Sequence, residues 1–142
     1  MAVITNTSAM LEIRSLSHPA ATVTDLLGLN PTLVVEKGDL KPGASGRTHA
    51  SSVWKYDTLL LADPELADPL DPLAQLVIDL QGREAALAAL RVHYTTKVWC
   101  TGYTDGRSGS FVISSDLMTA LGALGCDFFC TIELGPTEPR AA

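Results

Sequence analysis

The spacing of apolar residues changes period several times along this chain, and no single regular structure accommodates both periods. Residues 8–16, 52–58, 95–103 and 126–134 follow the two-residue alternation of a half-buried strand. Leu33-Val34-Val35 adds a short fifth strand. Two other stretches carry helical spacing, one from Leu73 to Leu90 and one from Leu117 to Leu124. A chain that mixes the two periods within 142 residues is one α+β domain. We expect it to span 1–142, with a core over about 8–135 and a flexible tail at 136–142.

The punctuation sets the expected boundaries. Pro19 opens a first helix, with a capping box from Thr22 to Asp25 and an apolar face of Val23, Leu26 and Leu27. Gly28 ends that helix. Pro42, Gly43 and Gly46 make 41–52 a loop, mobile unless something binds it, and the strand after it pairs antiparallel with the one before. Asp71-Pro72 starts the leucine-rich helical stretch. Gly82 interrupts it, giving either one kinked helix or two short ones. Residues 104–110 form a tight exposed turn. Ser114 or Ser115 caps a last helix bearing Leu117, Met118, Leu121 and Leu124, closed by Gly125. The expected order is β-α-β-β-α-β-α-β. It builds a mainly antiparallel sheet of about five strands with helices packed on one face, an α/β sandwich.

Charge excludes some partners. Sixteen acids against ten Lys and Arg leave a formal net charge of -6, which disfavours nucleic acid and anionic membrane surfaces. No apolar run approaches the ~20 residues of a spanning helix, and the N-terminus lacks a signal-peptide pattern. Three cysteines without an obvious pairing suit a reducing cytoplasm, the compartment we expect. Read as a strand, 126–134 places Cys126, Phe128, Cys130, Ile132 and Leu134 on one face as a core stripe.

Chemistry-bearing patterns are sparse. His18, His49 and His93 stand in no zinc-like spacing, and we expect no metal and no cofactor. Gly106-Arg107-Ser108-Gly109-Ser110 is neither a nucleophile elbow nor a phosphate loop, so no catalytic residue is assigned. Two arginines and a histidine near aromatic walls would suit a planar anion. The candidate ligand-binding residues are therefore Arg47 and His49 in the loop, Trp54 and Tyr103 on strands, and Arg107 in the turn.

Thr24-Asp25-Leu26-Leu27-Gly28-Leu29-Asn30-Pro31-Thr32, followed by Glu36-Lys37-Gly38-Asp39, Gly46-Arg47 and Trp54, resembles a bacterial family, the domain of unknown function DUF4279. The leucine-rich middle helix and the stretch from Phe111-Val112-Ile113-Ser114 onward are similar to it as well, so the likeness covers about residues 8–135. It implies a small bacterial α+β protein and carries no catalytic set. Small families of this kind often serve as immunity or accessory proteins in bacterial conflict systems, an expectation that rests on analogy alone.

Two functions are expected from these readings. The first is a non-catalytic interaction or regulatory protein, of the immunity or accessory type, that binds a protein partner through an acidic, loop-rich surface. That surface would include Asp63, Glu65 and Asp68. The alternative is a domain binding a small anionic ligand, or a small enzyme, with its site between the 41–52 loop, the strand aromatics and the 104–110 turn. A homo-oligomer built on an exposed edge strand is a third arrangement compatible with the pattern.

Overall fold

The computed structural model describes residues 4–43, 46–58, 71–104, 106 and 111–134, the side chains of 4–6 and 71 excepted. Among these residues five strands are present: β1 (Ile4–Ser15), β2 (Leu33–Val35), β3 (Ser52–Asp57), β4 (Thr95–Thr104) and β5 (Asp127–Leu134). The helices are α1 (Ala21–Leu27), α2 (Asp71–Leu80), α3 (Glu84–Leu90) and α4 (Ser115–Leu124). The stretch around Gly82 is thus two helices, and the order is β-α-β-β-α-α-β-α-β.

The strands form one sheet in the order β2-β3-β1-β4-β5. Three of the four pairings are antiparallel, as expected, but β4 and β5 run parallel, so the sheet is mixed and not purely antiparallel. The reason is the connection. A tight turn brings a chain back antiparallel, whereas α4 crosses over between β4 and β5 and lets the last strand start from the same end. The 104–110 turn lies almost wholly outside the described residues, as do the tail 136–142 and the acidic segment up to residue 70.

Alternation then decides what is covered. On β1, Ala9, Leu11 and Ile13 are buried, and Trp54, Tyr56, Val98 and Cys100 join them from β3 and β4. All seven belong to a single core cluster with Val23, Leu27, Leu73, Leu76, Leu80, Leu87, Leu90 and Leu124 of the helices. The opposite face of the sheet carries Met10, Glu12, Arg14, Lys55, Lys97, Trp99 and Tyr103, and no described helix covers it. Two expected apolar positions point away from the core: Leu26 is 49% exposed and Met118 61%.

Helix ends are closed by long-range partners more than by local boxes. The capping box expected from Thr22 does not form; the helix starts one residue after Ala20, whose N–H donates to the Glu36 carboxylate. Ser114 caps α4 as expected, accepting from the Leu117 N–H. Two arginines serve helix C-termini, where carbonyls lack intrahelical donors. Arg83 Nε donates to Leu27 O at 2.7 Å, and Arg91 Nη1 donates to Leu124 O at 2.9 Å. Between layers, Trp54 Nε1 donates to Thr24 Oγ1 and the Tyr56 hydroxyl donates to Asp79 Oδ2 at 2.6 Å. Among the described residues no helix is long and apolar enough to cross a membrane.

The largest departure from the sequence reading is β5. Its expected core stripe is not a core: Phe128 is 39% exposed, Ile132 47%, Leu134 70%, and Cys130 is exposed too. The residues do share one face, as period two demands. What alternation does not encode is whether a helix layer reaches that far, and α4 stops short of this edge strand.

Candidate functional site

The segment between β2 and β3 is a folded ribbon. Gly38 N–H donates to His49 O, His49 N–H to Asp39 O, and Lys41 N–H to Arg47 O, with a bridge between Leu40 and Thr48. Asp39 also takes the Glu36 N–H on its carboxylate, and Ser52 Oγ takes the Lys37 N–H. The 41–52 loop is therefore tied down on both sides of its tip, with residues 44 and 45 outside the described set. Holding His49 by both backbone groups aims its ring at the uncovered sheet face.

There the strand register lines residues up in rows. Val53 faces Arg14 of β1 and Val35 of β2, while Lys55 faces Glu12 and Leu33. The result is a groove of about 230 Å³ with an apolar floor of Leu33, Val35 and Val53. Arg14, Lys41, His49 and Lys55 ring it. Arg14 is already engaged: Nε and Nη2 bond Glu12 Oε1, and Nη1 donates to Ser51 Oγ at 3.0 Å. Among the described residues Lys41, His49 and Lys55 have no side-chain partner, and none of the described carboxylates lies within ion-pair distance of them. Three basic groups over an apolar floor, in a chain of net charge -6, concentrate positive potential where the rest of the molecule is negative.

Beside the groove stands a second polar cluster. Trp99 Nε1 donates to Glu12 Oε2 at 3.0 Å and stacks on Phe129 at 4.5 Å, with Lys97 Nζ 5.3 Å from the Phe129 ring centre. Both Glu12 oxygens are thereby occupied, which fixes Arg14 at the groove rim.

The five residues singled out from sequence do not assemble into one site. His49 lines the groove. Arg47 sits in the same ribbon but not on the groove wall, contributing its carbonyl to Lys41 N–H. Trp54 is fully buried on the helix face, stacked on Tyr56, and so lies on the opposite side of the sheet from Tyr103. Adjacent strand aromatics alternate faces, and this pair falls on different parities once β1 sets the register. Arg107 lies outside the described residues. Sequence reasoning missed Arg14, Lys41 and Lys55. The signal was present: Arg14 and Lys55 occupy the polar positions of their strands, the positions left bare when helices take the other face.

Elsewhere the chemistry is muted. Burial pushes the Cys100 thiol up to about 11, helped by the neighbouring Cys130, and burial also raises Cys126. Both shifts oppose formation of a nucleophilic thiolate. His18 and His93 stack at 4.0 Å, and among the described residues no group of three or more His, Cys, Asp or Glu is placed to hold a metal.

A family model for a domain of unknown function (DUF4279) matches residues 5–134. The chain belongs to that family. No curated protein and no solved structure matches the chain.

Proposed function

We propose that this member of the DUF4279 family is a non-catalytic binding protein that holds a small anionic molecule, a carboxylate or phosphate with an apolar portion, in the groove beside His49. The observation that carries the reading is the set of three unpartnered basic side chains, Lys41, His49 and Lys55, over the apolar floor of Leu33, Val35 and Val53. Charge-assisted hydrogen bonds from these groups would fix the anion, and the floor would take the apolar portion. Arg14, paired with Glu12, walls the rim and adds no net charge to it. The groove is small and open, which fits a compact ligand and not a dinucleotide. The free cysteines fit a bacterial cytoplasm, where thiols stay reduced.

The test is titration with benzoate and with inorganic phosphate, followed by backbone amide NMR shifts. The expected result is saturable movement of the Ser51, Val53 and Lys55 amides, lost in a Lys41→Gln/Lys55→Gln variant of unchanged melting temperature. Equal shifts in the parent and the variant, or none in either, would refute the reading.

A protein partner remains the second reading, an immunity-type or accessory role among its forms. The acidic segment first considered for that role lies mostly outside the described residues. What favours it instead is the bare apolar edge at β5.

A further inference from the structure

We infer that β5 pairs antiparallel with β5 of a second copy of this chain, joining two sheets into one ten-stranded sheet around a two-fold axis. This inference is independent of the ligand groove, which lies at the other end of the sheet.

Among the described residues the strand β5 is an edge, bonded to β4 on one side only. Soluble proteins guard such edges with Lys, Pro, bulges or short strands, because unpaired N–H and C=O groups recruit other strands. None of these guards is present: Asp-Phe-Phe-Cys-Thr-Ile-Glu-Leu has no Lys, Arg or Pro, and its register with β4 is unbroken over all eight residues. The opposite edge differs, since β2 is only three residues long and leads into the ribbon at 38–49. Apolar side chains flank β5 on both faces, Phe128, Ile132 and Leu134 on the helix side and Phe129 on the other. Met118 of α4 borders an apolar groove of about 300 Å³ that Phe128 also lines.

The sequence of β5 is complementary to itself. A two-fold axis normal to the sheet keeps each face continuous, so paired residues must share parity. Centring the axis on Thr131 sets Phe128 opposite Leu134 and Cys130 opposite Ile132 of the second copy, an apolar ladder on the helix side. Phe129 then faces Glu133, and no two carboxylates oppose each other. Centring it on Cys130 instead would place Asp127 against Glu133 twice, which like charges oppose. Of the two registers that pair seven residues of the strand, the Thr131 centre is the one that electrostatics allows.

Size sets the strength of the dimer. Seven paired residues, 128–134, span about 23 Å at the strand rise, and a sheet without a helix layer is about 10 Å deep. The contact is then roughly 230 Å² per copy, about 460 Å² in all, the size of a transient contact. A weak, concentration-dependent dimer follows, not an obligate one.

Sedimentation equilibrium of the full chain, from about 1 to about 500 μM, tests this. The mass should climb from 15.0 kDa toward twice that value. Ile132→Lys, at a side chain already 47% exposed, should hold the mass at the monomer value without lowering the melting temperature. Leu134→Lys should do the same. A monomer at every concentration, a dimer that survives both variants, or growth beyond two copies would overturn the inference. So would a Cys130–Cys130 disulfide between copies on mild oxidation. In the Thr131-centred register those two residues are diagonal neighbours about 7–8 Å apart, beyond disulfide reach.

Discussion

Replacing Gly125 by Ala should cost about twice what the same change costs at Gly28, and the difference should belong to one arginine. Both glycines end helices in the left-handed region, with φ of 70° and 67°. An L side chain there costs about 1–2 kcal/mol, offset by about 0.4–1 kcal/mol from the stiffer unfolded chain. At Gly28 nothing lies within 4 Å of an added Cβ, so the net cost is about 1 kcal/mol. At Gly125 the Cβ would stand 2.7 Å from the Arg91 guanidinium. Arg91 must swing away, and its 2.9 Å bond to Leu124 O is lost. That bond is part-buried and its arginine exposed, so its loss adds about 1 kcal/mol, the worth of an ordinary hydrogen bond. Urea unfolding should give Gly28→Ala about 1 and Gly125→Ala about 2 kcal/mol, or about 3 and 6 °C in melting temperature. Arg91→Ala in the Gly125→Ala background should cost almost nothing more, for a coupling near 1 kcal/mol. Equal losses at the two glycines, or a coupling of zero, would refute the assignment of the extra cost to Arg91.

Two further predictions concern the core. Tyr56 is raised from 10.0 to about 12, first by burial and then by its bond to the Asp79 carboxylate. Because the folded state holds this proton more tightly than the unfolded chain, its contribution is full below pH 10 and disappears as pH rises from 10 to 12. Tyr56→Phe should cost about 1.5–3 kcal/mol at neutral pH, and urea unfolding in steps across that window should show the cost shrinking; a constant difference would contradict the bond. On α2, Leu76→Ala should cost about 2–5 kcal/mol, while Ile78→Ala, 56% exposed two residues away, should stay within about 0.5 kcal/mol in the same assay. Comparable losses would mean the helix presents a different face.

Much of the scaffold is legible in the residue order because it rests on local signals. Gly28, Ser114, Gly125 and Asp71-Pro72 mark helix ends by backbone chemistry that needs no tertiary context. The antiparallel pairing of β2 with β3 likewise follows from adjacency. Reading β5 required one more step: a helix between two neighbouring strands is itself the mark of a parallel crossover, and it was available in the α4 pattern. The exposure of Phe128 and Ile132 was not available, since alternation reports a shared face and says nothing of what covers it. The same gap separated Trp54 from Tyr103. Both look like pocket walls in a linear reading, and only the register with β1 shows them on opposite sides. The groove escaped detection because its basic residues come from three separate segments, at 14, 41–49 and 55.

The central position of β1 has a consequence for how the chain is made. Its register runs from Arg14 with Thr95 to Ile4 with Thr104, so β1 finds its main neighbour only after roughly eighty to a hundred further residues. At ordinary elongation speeds of about 5–20 residues per second, β1 leaves the ribosome about 4–20 s before β4 arrives. During that interval Leu11 and Ile13 have half of their sheet missing. The nascent chain is then a natural client for a chaperone holding apolar strands. A message cut short between β3 and β4 would yield a product whose central strand is left as a bare edge.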